Sequence, residues 1–296
     1  SNPSSATQHY NMQIKNHLLK VQGRKVYYRT IGDKKKQPIL LLAGWPGIYL
    51  EKSGVLQELA KYFYVVSPEH PGLLRSDPLP KYIQIFNQYA ELSRLVLKEE
   101  KLDEKKLVIM GQSFGGAVAS HYAYNYPQFT KALILIDSVI GAGNIALYIR
   151  FLFRRGPKLT KLYMHLPKFI QKRIAFFLYG VPLENFTDKT MPDRQEMLGN
   201  YTSVVTNAWD NNEKLIDKDY GDFPILFVWG DRDGKEFNMY GSCNVDDAKI
   251  AADNLKKKGK DIKFITVDGG HTILYEKPRY VIGEIVENLP FKHNLK

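Results

Sequence analysis

Short, strongly apolar runs punctuate this chain: Ile39–Leu42, Tyr62–Ser67, Lys106–Met110, Ala132–Asp137, Ile225–Trp229 and Ile262–Val267. Runs this brief and this apolar predict strands buried on both faces, as in a parallel sheet. Tyr82–Glu100, Gly116–Tyr126, Val245–Lys258 and Tyr280–Asn288 lie between them and read as helices. Upstream, His17–Gly32 predicts a hairpin turning at Gln22-Gly23, and residues 1–12 are polar enough to predict a mobile segment. Strand and helix in alternation predict an α/β fold: a mostly parallel central sheet, helices on both faces, and a site at the carboxyl ends of the strands.

The rhythm breaks once, from Ser138 to about Asn211. Ser138 to Leu183 contains no aspartate or glutamate but holds Arg150, Arg154, Arg155, Lys158, Lys161, Lys168, Lys172 and Arg173 among aromatic and aliphatic residues. That basic amphipathic pattern fits weak contact with an anionic lipid surface or an anionic substrate. It also fits a plain solvated face whose long cations lie along apolar surface.

Chemistry enters at Met110-Gly111-Gln112-Ser113-Phe114-Gly115-Gly116, where a predicted strand meets a predicted helix. Gly-x-Ser-x-Gly in that context is the pattern of a nucleophile elbow. The turn is so tight that positions two before and two after the serine have to be very small, and both are glycine here. A serine hydroxyl needs a base, and the base needs an orienting acid. His271 follows the strand Ile262–Val267 in a loose Asp268-Gly269-Gly270 turn. Asp231 and Asp233 follow the strand Ile225–Trp229, and Asp137 ends the strand before the break. The order is serine, acid, histidine, which differs from the chymotrypsin and subtilisin orders.

With these motifs the chain resembles an α/β-hydrolase of the serine esterase and lipase-like branch, from about Val21 onward. Leu42-Ala43-Gly44-Trp45-Pro46-Gly47, Gly72-Leu73-Leu74-Arg75-Ser76-Asp77, the elbow, and Gly270-His271 with Glu276 and Pro278 behind it carry the resemblance. The resemblance implies that Asp233 is the acid, with Asp231 and Asp137 as alternatives. It implies an oxyanion hole from the backbone N–H groups of Trp45 and Phe114, and a helical cap over the site. The domain plan is then a hydrolase core at 13–138 and 212–296 with the cap at 139–211. Two positions depart from the family pattern. Ala43 stands where a histidine usually braces the loop, and Leu73-Leu74 stands where a Gly-x pair is common. Epoxide hydrolases and haloalkane dehalogenases share the Trp-Pro signature but use an aspartate at the elbow, so Ser113 argues against both.

Composition narrows the remainder. A chain of 296 residues, 44% hydrophobic and 25% charged, can bury one large core. The single cysteine, Cys243, excludes an internal disulfide and fits a reducing, cytoplasmic location. The net charge of +11 comes without any recognised nucleic-acid-binding module, so no nucleic-acid partner is expected. His70 and His121 read as packing or hydrogen-bonding histidines. The expected activity is cleavage of a small ester with an apolar acyl or aryl group, with no metal or organic cofactor. A perhydrolase, a carbon–carbon bond hydrolase and a non-enzymatic small-molecule receptor remain alternatives with the same residues.

Overall fold

β1 (Lys15–Val21) and β2 (Arg24–Ile31) form the N-terminal hairpin. In this computed structural model the residues described are 12–44, 47, 49–72, 74–79, 85–139, 162, 165–167, 169–170, 219–234 and 243–295. After the hairpin come β3 (Gln37–Leu42), α1 (Tyr49–Lys52), α2 (Val55–Ala60), β4 (Phe63–Pro68), α3 (Ile85–Glu99), β5 (Leu107–Gln112), α4 (Phe114–Asn125) and β6 (Thr130–Ile136). β7 (Ile225–Gly230), α5 (Val245–Lys257), β8 (Ile262–Val267), α6 (Ile273–Glu276) and α7 (Pro278–Asn288) complete the described elements. The strands make one sheet in the order β1-β2-β4-β3-β5-β6-β7-β8. β1 and β2 pair antiparallel, as do β2 and β4; every later pairing is parallel.

Each central strand buries alternate residues in two separate cores. Leu40 and Leu42 of β3 join Ile109 of β5 and Phe227 of β7 on one face, where α3, α4 and α5 pack. Ile39, Leu41, Val108, Met110 and Val228 point to the other face, under α2, α6 and α7. A strand covered on both sides has no polar face, which is why the central runs are apolar throughout. β8 differs because it is the sheet edge: Ile262 and Val267 are buried, whereas Lys263 and Thr266 are exposed. Each fully buried leucine, isoleucine or phenylalanine contributes roughly 1.5–3 kcal/mol of transfer free energy.

The topology places the site. From β3 the chain moves outward to β4, and then returns through α3 to β5 on the opposite side of β3. The strand order therefore reverses between β3 and β5, which opens a crevice at their carboxyl ends. Gly44 lies just past β3 and Ser113 just past β5. The predicted cap at 139–211, with its eight cations, lies outside the described residues except for a few positions, as do 80–84 at the start of the predicted Tyr82–Glu100 helix. Residues 1–11 also lie outside them. Among the described residues, no helix is long and apolar enough to cross a membrane.

Candidate active site

β5 stops at Gln112 and α4 starts at Phe114, so Ser113 stands alone between strand and helix. The helix begins two residues earlier than its sequence pattern predicts, because Gly115 and Gly116 are part of its first turn. Ser113 has φ 52° and ψ −120°, a conformation that non-glycine residues rarely adopt. Three hydrogen bonds hold it there. Its N–H donates to the Ile136 carbonyl, and its own carbonyl accepts from Gly116 and Val139, all at 3.0 Å. Such strain, of order 1–3 kcal/mol, persists only where the surroundings over-determine it. The flanking glycines have a steric reason. A side chain at Gly111 would enter the backbone of Gly115 and Gly116, and one at Gly115 would enter the carbonyls of Leu42 and Ala43.

His271 bridges the serine and one of the candidate acids. Its Nε2 lies 2.9 Å from Ser113 Oγ and its Nδ1 lies 3.1 Å from Asp233 Oδ2. A neutral imidazole carrying its proton on Nδ1 satisfies both contacts, donating to the carboxylate and accepting from the hydroxyl. The His271 side chain is 24% exposed, and Asp233 is buried. Burial alone would lower the His271 pKa. The Asp233 charge and hydrogen bond outweigh it, so the net shift is upward.

The other two acids have different partners. Asp231 Oδ1 accepts the Gly269 N–H at 3.0 Å, and the Arg232 N–H donates to the Gly269 carbonyl at 3.0 Å. Both therefore clamp the turn that carries His271. Asp137 is fully buried, and its Oδ1 accepts the Gly230 N–H at 2.8 Å.

On the opposite wall, Phe114 opens α4, so its N–H has no partner one turn back in the helix. Trp45, the other predicted oxyanion donor, lies outside the described residues. The loop that leads to it is braced from a direction that spacing does not reveal. His70 Nε2–H donates to the Ala43 carbonyl at 2.8 Å, and the ring stacks on Tyr89 and meets the edge of Phe114. A histidine past β4 thus supports the loop at the residue where the family places its own histidine. The parallel register that pairs Leu40 with Val66 brings the two positions together. Burial pushes the His70 imidazole down to about 4, against a smaller upward effect of the Ala43 carbonyl. Behind it, buried Glu69 accepts from Arg29 Nη2 at 2.7 Å and from the Arg75 backbone N–H at 2.9 Å. Leu74, the second residue of the departing Leu73-Leu74 pair, takes φ 53°, and a side chain at Gly47 would come within 3.5 Å of its Cδ1.

Two further residues tie the loops of the site together without a sequence signal. Gln112 Nε2 donates to the His271 carbonyl at 3.0 Å while its amide lies against Gly44. The Gly44 N–H donates to the Tyr275 hydroxyl at 3.2 Å. Burial, opposed weakly by that bond, holds the Tyr275 phenol well above its ordinary range. His121 and Cys243 belong to packing: His121 Nδ1–H donates to Asn87 Oδ1 at 2.7 Å, and Cys243 is buried.

The sequence profile of the α/β hydrolase fold matches residues 37–278. The chain is 28% identical over 152 residues to a soluble epoxide hydrolase from Corynebacterium sp. (strain C12), which covers 49% of this chain and 51% of that protein. It therefore spans about half of that relative's length. It is 24% identical over 240 residues to Lipase 1 of Psychrobacter immobilis, covering 75% of this chain and 70% of the lipase. Among solved structures, the epoxide hydrolase CorEH without ligand aligns with a TM-score of 0.71 at 20% identity. That alignment covers 93% of this chain and 98% of the other, a likeness of fold.

Proposed function

Because this chain belongs to the α/β-hydrolase fold family, we propose that it is a serine hydrolase that cleaves carboxylic esters through an acyl-enzyme intermediate. The observation that carries this reading is the relay from Ser113 Oγ through His271 to Asp233, at 2.9 and 3.1 Å, set at the crevice where the strand order reverses. Ser113 attacks the ester carbonyl as His271 Nε2 takes its proton. Asp233 keeps the other imidazole proton on Nδ1 and stabilises the cation that forms. The oxyanion develops against the Phe114 N–H, where the dipole of α4 adds to the attraction, and the Trp45 N–H is the second donor in this reading. His271 then protonates the leaving alcohol, and water repeats the cycle to release the acid. A serine at the elbow favours ester cleavage over epoxide opening, since the family's epoxide hydrolases attack with an aspartate. The aromatic content of 139–211 points to an apolar acyl or aryl group.

Ser113→Ala is expected to abolish labelling by a serine-reactive phosphonate. It should also lower hydrolysis of nitrophenyl esters by at least about a thousandfold, leaving only the catalysis that binding and the oxyanion donors provide. Labelling that survives the substitution on another residue overturns the assignment of the nucleophile. Absence of ester turnover by the unaltered protein across a panel of graded acyl length overturns the activity.

A further inference from the structure

Asp137 lies one residue past β6, where the backbone takes a positive φ of 40°. Its N–H donates to the Val228 carbonyl at 3.1 Å and its Oδ1 accepts the Gly230 N–H at 2.8 Å. Backbone and side chain are thus both pinned to β7. The Gly230 carbonyl in turn accepts the Asp233 N–H at 3.1 Å, so one glycine joins the two acids. Asp137 is fully buried, and its Oδ2 meets no N–H or O–H donor among the described residues. Of the neighbouring acids, Asp233 acts on this carboxyl most strongly, through its charge and its side chain.

Two ionised carboxylates do not share so dry a site without a cation. Among the described residues neither pairs with a lysine or arginine, and His271 is the one basic side chain that meets Asp233. Glu276 on α6 adds more negative charge. One carboxyl therefore carries a proton. Asp233 has its Oδ2 engaged by His271, whereas the Asp137 Oδ2 meets no such donor among the described residues. Burial first, and the charge of Asp233 second, push the Asp137 carboxyl well above the ordinary range, with the Gly230 N–H acting in the opposite direction.

We propose that Asp137 is a positioning residue of this site: its carboxyl stays protonated and donates a hydrogen bond to Asp233, fixing the carboxylate that holds His271. The donated bond draws charge away from Asp233, so the carboxylate stabilises the imidazolium less and His271 stays neutral, and able to accept a proton, to lower pH. The consequence for rate rests on the triad reading above, but the pairing of the two acids does not.

The test follows the His271 ring C–H signals by NMR during a pH titration of the resting protein, which requires no turnover. The signals are assigned by their loss in His271→Gln. Asp137→Asn keeps a donor for Asp233 and an acceptor for Gly230, so the His271 midpoint should stay within a few tenths of a pH unit. Asp137→Leu keeps the volume but removes the donor, and the midpoint should rise by about one unit, the scale of one hydrogen bond to a charged group. In unaltered protein labelled at aspartate carboxyl carbons, the signal lost in Asp137→Asn should remain that of a protonated acid at pH 6. This last readout decides the matter even where the leucine variant fails to fold. An Asp137 carboxyl that titrates near the ordinary value of about 3.9 overturns the proposal. So does a leucine variant with an unmoved midpoint, or an asparagine variant that shifts as far as leucine. Ester hydrolysis measured on the same samples separates the two readings, since missing turnover beside a protonated Asp137 removes the esterase assignment alone.

Discussion

Two histidines meet the elbow from opposite sides, and their surroundings drive them in opposite directions. His271 reaches Ser113 from the turn after β8, and His70 packs on Phe114 from the loop after β4. Each has a ring nitrogen bonded to an oxygen acceptor at a similar distance, 3.1 Å to Asp233 and 2.8 Å to the Ala43 carbonyl. The His271 pKa is raised, whereas that of His70 falls to about 4. The shorter bond goes with the lower basicity, so bond length does not decide. The charge of the acceptor does. A carboxylate compensates an imidazolium for lost water, and a neutral carbonyl in a fully buried site does not. One corner is therefore suited to moving a proton, and the other to holding a loop in place.

The sharpest way to break this contrast is kinetic. Asp233→Asn should leave the fold intact but favour the wrong imidazole tautomer, lowering kcat/KM on a small ester by about four decades, if it follows the chymotrypsin-type precedent. His70→Gln keeps a donor for the Ala43 carbonyl, and the loss should stay under about tenfold. Steady-state rates on one soluble ester compare the two variants directly, and losses of similar size would erase the distinction. Asp231→Asn should resemble His70→Gln, because Asp231 is engaged by the Gly269 N–H.

A smaller effect probes what holds the His70 corner. Glu69 is buried between Arg29 and Arg75, and removing one partner of a buried pair costs about 3–5 kcal/mol. Glu69→Leu should lie near 3 kcal/mol, because Glu51 still holds Arg29. Urea unfolding measures the loss, and a change below about 1 kcal/mol would show that this network does not support the corner.

An effect no larger than this is the pH dependence of stability, where the two histidines should differ in sign. The folded pKa of His70, about 4, lies below its unfolded value of about 6.5. Its contribution is therefore complete above pH 6.5 and is lost as pH falls towards 4, up to about 3 kcal/mol. The folded pKa of His271 is raised, so its contribution is complete below about 6.5 and is lost as pH rises through its folded value. Subtracting the pH–stability curve of His70→Gln from that of the unaltered protein should leave a loss confined to the acid side. The same subtraction with His271→Gln should leave one on the alkaline side. Slopes of the same sign would contradict the environments described for the two rings.

Much of this molecule is legible before it folds. The apolar runs and the Gly111–Gly115 pair are local constraints, each set by residues close in the chain, and the order of Ser113, Asp233 and His271 is readable from the motifs that carry the resemblance. Sheet burial on two faces requires apolar strands, and a tight strand-to-helix turn leaves no room for a Cβ at either glycine. The bracing contacts are not legible in this way. His70 at Ala43, Tyr275 at Gly44 and Gln112 at His271 join residues 27, 231 and 159 positions apart, and no local pattern encodes pairs that only the folded chain brings together.

The choice among the acids shows the same division. Residue type and position leave Asp137, Asp231 and Asp233 open, since they follow two neighbouring strands and share one chemistry, and the family resemblance alone favours Asp233. Tertiary structure separates them by what each carboxyl meets. Asp231 takes the Gly269 N–H, Asp137 takes the Gly230 N–H, and Asp233 alone of the three is hydrogen-bonded to His271. Identical side chains acquire different roles here because a hydrogen bond discriminates over a fraction of an ångström, a scale set by packing and not by position along the chain.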